Sequence, residues 1–291
     1  MFSPPEREVA HTFGIQILAF LGGRLNQHWL AESKGRQFVI RRWSPLHAAT
    51  IDYELRLLNQ VAELGWPVAP AIGEPIECQN HFWTLFPFLN GEPPYQKNSP
   101  EEQRSRGRLL ARFHADLSNL SCFGQRGKWR RCEEILSDQT LDATFSQYEQ
   151  KYPEEIRVLR WHLDRARTCL EGLDPQSWPS IIVHGDFTPW NLRFQNGQLS
   201  GILDFELAHL DHRIADFTLS WRGKYDEVVY GYNEVSPLSP QEWQLLTPLW
   251  WAFLLEQAYE LLQEEGNVDK WTLTKLLQRS PLMGEDAAGF R

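Results

Sequence analysis

Hydrophobic positions divide the chain into two parts with different periodicities. The first part has short apolar runs between turn residues, which predicts strands at 15–21, 28–32, 37–43, 72–78 and 81–86. One helix is predicted over 50–64, with an apolar stripe made of Ile51, Leu55, Leu58, Val61 and Ala62. This pattern indicates a small, mostly antiparallel sheet that carries one helix.

The second part, after Phe88, is mainly helical in its periodicity. Helices are predicted at 99–120, 154–173, 241–265 and 270–278, the first of them opened by the typical start Ser99-Pro100. Short strands are predicted at 181–183, 192–194 and 199–203, with Asn196-Gly197 as a hairpin turn between the last two. A strand-rich first part and a helical second part together predict an α+β protein. The linker-like residues 90–94 predict the boundary between domains at 1–89 and 90–291.

Composition narrows the class of protein. The chain has 291 residues, no apolar run of the roughly 20 residues that a membrane helix needs, and no apolar signal core at its start. Four cysteines are scattered without a C-x-x-C pair, which favours reduced cytoplasm as the location. A net charge of −9 argues against a nucleic-acid backbone as the main partner. We therefore expect a cytoplasmic globular protein with neither a nucleic-acid nor a membrane partner.

A loop and the hairpin after it carry the candidate chemistry. Residues 183–194 read V-H-G-D-F-T-P-W-N-L-R-F, and I-L-D-F-E follows at 202–206. Asp186 could orient a hydroxyl, while Asn191 and Asp204 offer the oxygen ligands that magnesium takes beside a nucleotide triphosphate. The hairpin would bring Asn191 and Asp204 to the same end. This set predicts a phosphoryl-transfer centre.

The motif H-G-D-x-x-x-x-N followed by D-F-E resembles the aminoglycoside phosphotransferase and choline kinase superfamily, relatives of the protein kinases. The likeness extends from about residue 13 to 265, and includes G-R-L-L-A-R-F-H at 107–114. It implies a protein-kinase-like fold of two lobes: a small antiparallel sheet N-lobe, which binds nucleotide, and a mostly helical C-lobe, which carries catalysis and acceptor binding. ATP and Mg2+ are the implied cofactors, with GTP left open.

The resemblance also implies roles for individual residues. Asp186 matches the catalytic base, and Asn191 and Asp204 match the metal ligands. The nucleotide-binding positions that it implies are Gly22, Gly23, Asn26, Val39, Arg41, Glu54, Phe88 and Leu203. Arg41 stands where protein kinases carry a lysine and would hold phosphate oxygens by a bidentate fork.

Several of these positions keep a second interpretation. Gly22-Gly23 is also a common hairpin turn, Arg41 could be a solvated strand residue, and Asp52 competes with Glu54 as the partner of Arg41. The backbone of residues 86–89 would contact the adenine edge, with Val39 and Leu203 as walls of that pocket.

Three more residues of the motif region are expected to have supporting roles. His184 is interpreted as part of the loop's framework, and Asp216 as a stabiliser of the loop. Glu206 could face either the metal or the acceptor.

The acceptor is indicated only by charge. The segment from Tyr225 to Asp269 contains no Lys or Arg but nine Asp or Glu residues. Two of these acids, Glu256 and Glu260, lie one helical turn apart. This favours a small cationic acceptor of the aminoglycoside or choline type, while an amino acid or a sugar stays open. A protein Ser/Thr kinase and a non-catalytic nucleotide-binding regulator are the alternatives, and the 11 residues between Asp204 and Asp216 leave little room for a protein kinase's activation segment.

Overall fold

The computed structural model describes residues 5, 7–23, 26–127, 129–175 and 178–287. Their contacts group them into two compact units. Unit 1 comprises the described residues within 1–95 and 189–208, and unit 2 those within 96–188 and 209–291. The segment 189–208, which carries Asn191 and Asp204, therefore packs with the N-terminal sheet. A division into functional domains at 1–89 and 90–291 stays a prediction.

Unit 1 is built on a five-stranded antiparallel sheet of order β1-β2-β3-β5-β4. Its strands are β1 (Gln16–Gly22), β2 (Gln27–Ser33), β3 (Arg36–Arg42), β4 (Ile72–Cys78) and β5 (His81–Pro87). All five lie where the alternation of apolar residues predicts them. One face packs into a core that contains Trp29, Ile40 and Trp83 together with Val9 of α1 (Arg7–Phe13), a helix that the sequence analysis missed. Side chains alternate along a strand. Val39 and Arg41, the two neighbours of Ile40, therefore lie on the opposite face of the sheet.

Helix α2 (Ile51–Glu63) follows β3 and a 3-10 turn at Pro45–Thr50. The predicted stripe is partly wrong, because Leu55 and Ala62 are only half-buried and Leu57 is fully buried. The buried face of this helix is formed by Ile51, Tyr53, Glu54, Leu57, Leu58 and Val61. A carboxylate, Glu54, thus lies among apolar residues with no exposed surface.

The hairpin of unit 1 consists of β7 (Leu192–Gln195) and β8 (Gln198–Ile202), numbered after β6 of unit 2. Its turn residues Asn196 and Gly197 have φ values of 51° and 76°, which is the conformation of a type I′ turn and confirms the Asn-Gly prediction. Backbone hydrogen bonds anchor the hairpin within the unit. The N–H of Ile202 donates to the carbonyl oxygen of Pro67 at 2.8 Å, and Phe194 and Glu92 bond each other's backbone.

Unit 2 is mainly helical. Its helices are α3 (Pro100–Leu117), α4 (Cys132–Ser137), α5 (Gln139–Tyr148), α6 (Pro153–Leu170), α7 (Phe217–Trp221), α8 (Asp226–Val235), α9 (Pro240–Glu265) and α10 (Lys270–Leu276). One antiparallel strand pair, β6 (Ser180–Val183) with β9 (His209–His212), completes it. Helices α4, α5, α7 and α8 and strand β9 were not predicted, and α3 ends three residues earlier than expected.

Helices α3 and α8 cross at very close range. A Cβ atom on Gly107 would lie 2.0 Å from the carbonyl oxygen of Val228, and one on Gly231 would lie 2.1 Å from that of Arg104. Glycine is therefore required at both positions, because the two backbones touch where a methyl group would otherwise stand.

Helix α9 begins with a capping box, in which Ser239 and Glu242 bond each other's backbone N–H groups, and ends at Gly266 in a left-handed conformation. The single apolar stripe predicted for it (Trp243, Leu246, Trp250, Phe253, Leu254 and Leu261) is wrong. Eight consecutive residues, 245–252, are buried, so the middle of the helix is enclosed on all sides. Among the helices that the structure describes, none is long and apolar enough to cross a membrane.

Candidate active site

The predicted partner of Arg41 is confirmed. Nη1 of Arg41 lies 2.5 Å from Oε1 of Glu54, and both side chains are almost completely buried. Asp52 instead pairs with Arg56 on the solvent side of α2, at 2.8 Å. Since a buried carboxylate is stable only when it is paired, the enclosed position of Glu54 is explained by this contact.

Arg41 is closely surrounded on the face of the sheet opposite the core that contains Ile40. Its guanidinium is 4.9 Å from the ring centroid of Trp43 and 5.1 Å from that of Phe86. Burial lowers the pKa of Arg41, but attraction to Glu54, Asp204 and Glu206 outweighs it, so the net shift is upward. Arg41 is therefore a permanently charged cation held among three carboxylates of unit 1.

The glycine turn after β1 is open on one side and closed on the other. Gly22 and Gly23 have φ values of 114° and 116°, which side-chain-bearing residues rarely adopt. Among the described residues, a Cβ atom on Gly22 would meet nothing within 4 Å, whereas one on Gly23 would lie 1.9 Å from the carbonyl oxygen of Asn26. Arg24 and Leu25, which complete the predicted nucleotide loop, lie outside the described residues. No atom of the described residues blocks a phosphate group from approaching the backbone at Gly22.

Asn26, predicted to bind nucleotide, is buried and bonded within the protein. Its Nδ2 donates to Oε2 of Glu206 at 2.7 Å, and its Oδ1 accepts from the backbone N–H of Ser44 at 2.8 Å. Asn26 therefore connects the glycine turn to the segment after Asp204, a contact that links two parts of the predicted site through the protein itself.

The two predicted metal ligands meet at the open end of the β7–β8 hairpin. The backbone N–H of Leu203 donates to the carbonyl oxygen of Asn191 at 2.8 Å. Asp204 follows at φ 64°, a left-handed conformation that is uncommon for a residue with a side chain. The hairpin thus brings Asn191 and Asp204 together, as the sequence spacing predicted.

Negative charge accumulates beside these ligands. Burial and repulsion from Asp204 raise the pKa of Glu206 to about 7, and Arg41 only partly offsets this. An amide oxygen and crowded carboxylates are the donors that suit a hard divalent cation, which relieves such repulsion when bound. Among the described residues no group of three or more His, Cys, Asp or Glu side chains could hold a metal alone. The residues present fit a magnesium ion: Asn191 and Asp204 would hold it, and nucleotide phosphate and water would have to supply its other ligands.

The remaining predicted nucleotide contacts lie on the same unit. Val39 is half-buried and pairs with Leu30 and Phe86 across the sheet, and Leu203 is half-buried beside the metal motif. Phe88 follows β5, and its backbone N–H donates to the carbonyl oxygen of Gln37 at 3.3 Å. The N–H group of Phe88 is therefore already bonded, so this residue would contact a nucleotide by other atoms.

Asp186 belongs to unit 2, where a buried network fixes the loop that carries it. Asp216, with no exposed surface, accepts hydrogen bonds from the backbone N–H groups of His184 at 2.8 Å and Gly185 at 2.6 Å. The backbone N–H of Asp186 then donates to Nδ1 of His184 at 3.2 Å. The predicted framework role of His184 and the predicted stabilising role of Asp216 agree with these contacts.

Two residues from other helices complete this network, and sequence analysis did not assign them. Nε2 of His114, on α3, lies 2.7 Å from Oδ2 of Asp216, and its Nδ1 lies 2.9 Å from the hydroxyl of Tyr232 on α8. Burial raises the pKa of Asp216, but the contacts from His114 and His184 lower it further, so the net shift is downward. Asp216 is therefore an ionised carboxylate that holds the loop.

Arg222 was also missed by sequence analysis. It ends α7 in a left-handed conformation, at φ 55°, and its Nη2 lies 3.7 Å from Oδ1 of Asp186. No local pattern could have identified it, because Arg222 lies 36 positions further along the chain and reaches Asp186 only through the folding of unit 2.

Part of the acid-rich segment at 225–269 is paired with arginines from elsewhere in unit 2. Four of its nine acids form ion pairs: Glu227 with Arg104, Glu234 with Arg104 and Arg108, Glu242 with Arg213, and Glu256 with Arg130. Asp226 accepts from Trp221, and Asp269 caps α10. These four ion pairs weaken the interpretation of this segment as an attractor for a cationic acceptor, which stays a prediction.

Comparison with known proteins agrees with this geometry. The model of the phosphotransferase enzyme family matches residues 16–234. The chain belongs to this phosphotransferase family.

Individual relatives share only about a quarter of their aligned residues with this chain. A homoserine kinase of Phenylobacterium zucineum (strain HLK1) is 27% identical over 253 residues, covering 77% of this chain and 73% of the relative. A homoserine kinase of Zymomonas mobilis is 24% identical over 213 residues, covering 71% and 64%. Among solved structures, a thermostable mutant of aminoglycoside phosphotransferase APH(4)-Ia has a TM-score of 0.69 at 13% identity, covering 98% of this chain and all of the other.

These findings confirm the resemblance to the aminoglycoside phosphotransferase superfamily and the predicted α+β, protein-kinase-like fold with its small antiparallel sheet. They also confirm the predicted class of enzyme: a small-molecule kinase, which transfers a phosphate group to a hydroxyl.

Proposed function

We propose that this protein uses ATP and Mg2+ to phosphorylate a hydroxyl group of a small metabolite. The observation that carries the proposal is the hairpin end, where the backbone hydrogen bond from Leu203 to Asn191 brings Asn191 next to the residue that precedes Asp204. Magnesium bound there would neutralise charge on the nucleotide phosphates. GTP in place of ATP is the alternative that a nucleotide titration distinguishes.

The residues of unit 1 would then bind and orient the nucleotide. Arg41, fixed by Glu54, would hold phosphate oxygens, and the backbone of the turn at Gly22 and Gly23 would accept the phosphate chain on the side of Gly22. Because Nε and Nη1 of Arg41 already bond protein atoms, a bidentate fork on phosphate would have to share one of them. Val39, Leu203 and the backbone near Phe88 would line the base.

Asp186 would act on the acceptor. A carboxylate at this position can accept a hydrogen bond from the substrate hydroxyl and aim its oxygen at the γ-phosphate. The network from Asp216 to His184 keeps the loop backbone in place for that task. Arg222, whose Nη2 lies 3.7 Å from Oδ1 of Asp186, is the cation beside this carboxylate.

For the acceptor, we propose a hydroxyl-bearing amino acid similar to homoserine before an aminoglycoside. Two curated relatives that each align with more than two thirds of this chain are homoserine kinases. Solved aminoglycoside phosphotransferases share the fold at only 13–17% identity. The pairing of four acids in 225–269 with arginines also reduces the negative charge that would attract a polycation.

The decisive experiment is a screen for ADP release with magnesium-ATP and a panel of acceptors: homoserine and other hydroxy amino acids, choline, sugars and aminoglycosides. We expect acceptor-dependent ADP release with one hydroxy amino acid, and none with the Asp186→Asn variant. Release with an aminoglycoside alone would refute the acceptor class. Nucleotide binding without turnover on any acceptor would favour a non-catalytic regulator, and labelling of a generic protein would favour a protein kinase. The cytoplasmic location stays a prediction.

A further inference from the structure

His28 lies directly opposite Arg41 in the β2–β3 strand pair. Nε of Arg41 donates to Nε2 of His28 at 2.9 Å. The sequence analysis gave His28 no role, because a single histidine in a polar-apolar alternation is not informative. The pairing register places its ring beside the guanidinium that the proposed function assigns to the nucleotide.

The second ring nitrogen of His28 is also bonded. The ring also hydrogen-bonds to the backbone of Gly22. Because Nε2 accepts from Arg41, Nδ1–H is the ring donor left for a carbonyl oxygen there. An imidazole that accepts at Nε2 and donates at Nδ1 is neutral and has one defined tautomer. In agreement, burial and the adjacent charge of Arg41 lower the pKa of His28 to about 3.

The glycine turn is shaped around this ring. A Cβ atom on Gly23 would lie 2.9 Å from Nδ1 of His28, which is too close for a carbon atom. His28 therefore connects the turn at Gly22 and Gly23 with Arg41 through one rigid ring.

Two hydrogen-bond partners determine the direction of the Arg41 guanidinium. Nε is bonded to His28 and Nη1 to Glu54, and within the described part of the chain Nη2 donates no hydrogen bond. Two anchored nitrogens fix the plane of the guanidinium, so that Nη2 has a defined direction. With Glu54 alone, the group could rotate about a single contact.

We propose that His28 is a positioning residue, which holds Arg41 in the orientation that binds nucleotide phosphate and ties it to the glycine turn. This inference rests on the proposed function, since it takes Arg41 as a phosphate ligand. His28 itself touches no reacting atom.

Two amide substitutions separate the two bonds of the ring. In His28→Gln the amide oxygen reaches the position of Nε2 and can accept from Arg41, whereas in His28→Asn the shorter amide reaches only the position of Nδ1. Binding of magnesium-ATP, measured by calorimetry, should weaken about tenfold in His28→Asn and about twofold or less in His28→Gln. His11→Asn, on the exposed side of α1, is the matched control and should bind as the unmodified protein does.

A double-substitution cycle tests whether His28 affects nucleotide binding through Arg41. Lysine has no equivalent of Nε–H, so adding His28→Asn to Arg41→Lys should not weaken binding further. Equal losses in both His28 variants, no loss in either, or full additivity with Arg41→Lys would each overturn the inference, and melting temperatures of all variants identify losses due to unfolding. Failure of the unmodified protein to bind magnesium-ATP would instead refute the proposed function.

Discussion

The substitution Asp216→Asn should weaken both the fold and catalysis, because one carboxylate holds the loop of Asp186. Asp216 is fully buried and accepts from His114, His184 and Gly185 at 2.6–2.8 Å. An asparagine retains one acceptor oxygen. If this oxygen serves His114 and His184, the amide N–H group faces the N–H of Gly185 at a distance where two donors repel.

The expected magnitude follows from these bonds. One hydrogen bond to a charged acceptor is lost and one buried N–H group is left without a partner, which together cost about 3 kcal/mol. This is a large part of the roughly 5–15 kcal/mol that stabilises an ordinary domain, yet it should leave the variant folded. Since the pKa of Asp216 is lowered in the folded state, its contribution is complete at neutral pH and is lost only as the pH falls through that lowered value.

Urea denaturation at neutral pH measures the stability, and ADP release per folded molecule measures the turnover. Asp211→Asn is the matched control: Asp211 is also a buried acid of unit 2 and accepts from the backbone of His212 at 2.6 Å, but it does not bond the Asp186 loop. We expect both variants to lose stability, and only Asp216→Asn to lose turnover beyond the unfolded fraction. Unchanged stability and turnover in Asp216→Asn would refute the reasoning.

Three further predictions concern single carboxylates. Asp186→Asn should bind magnesium-ATP within about twofold of the unmodified protein but lose about 100-fold or more in kcat, and near-normal turnover would contradict its role as the base. Asp204→Ala should weaken ADP binding in the presence of magnesium and leave binding without magnesium nearly unchanged, which titrations in both conditions can test. Burial and repulsion from Glu260 raise the pKa of Glu256 to about 7 despite Arg130, so the folded protein binds this proton more tightly than the unfolded chain. Stability should therefore rise as the pH falls from about 8 to about 5, and Glu256→Gln should flatten that rise in urea melts; an unchanged slope would argue against it.

The strands and the long helices could be predicted because their signals are local. Alternation fixed the five strands of the sheet, and Asn196-Gly197 fixed the hairpin turn. Helices α4, α5 and α7 are short, and α8 has Gly231 within it, so local periodicity did not identify them. The residues of strand β9, including His209 and Asp211, are too polar to be recognised, and they form a strand only through pairing with β6.

The candidate site divides in the same way. The spacing of Asp186, Asn191 and Asp204 was readable because a loop and a hairpin fix it locally. The sequence did not reveal the roles of His28, His114 and Arg222. Each of these residues contacts a partner that is distant in sequence, and no local pattern identifies that partner.

The sequence by itself determined the chemical groups of this protein and the elements that carry them, since both depend on residue type and near neighbours. Only the tertiary structure decided which charges meet. It buried Glu54 with Arg41, set Asp216 beneath the loop of Asp186, and brought Arg104 and Arg213 to acids that stand without basic neighbours in the chain. The reason is physical: the energy of a charge depends on its burial and on the distance to its partner in space, and neither follows from position along the chain.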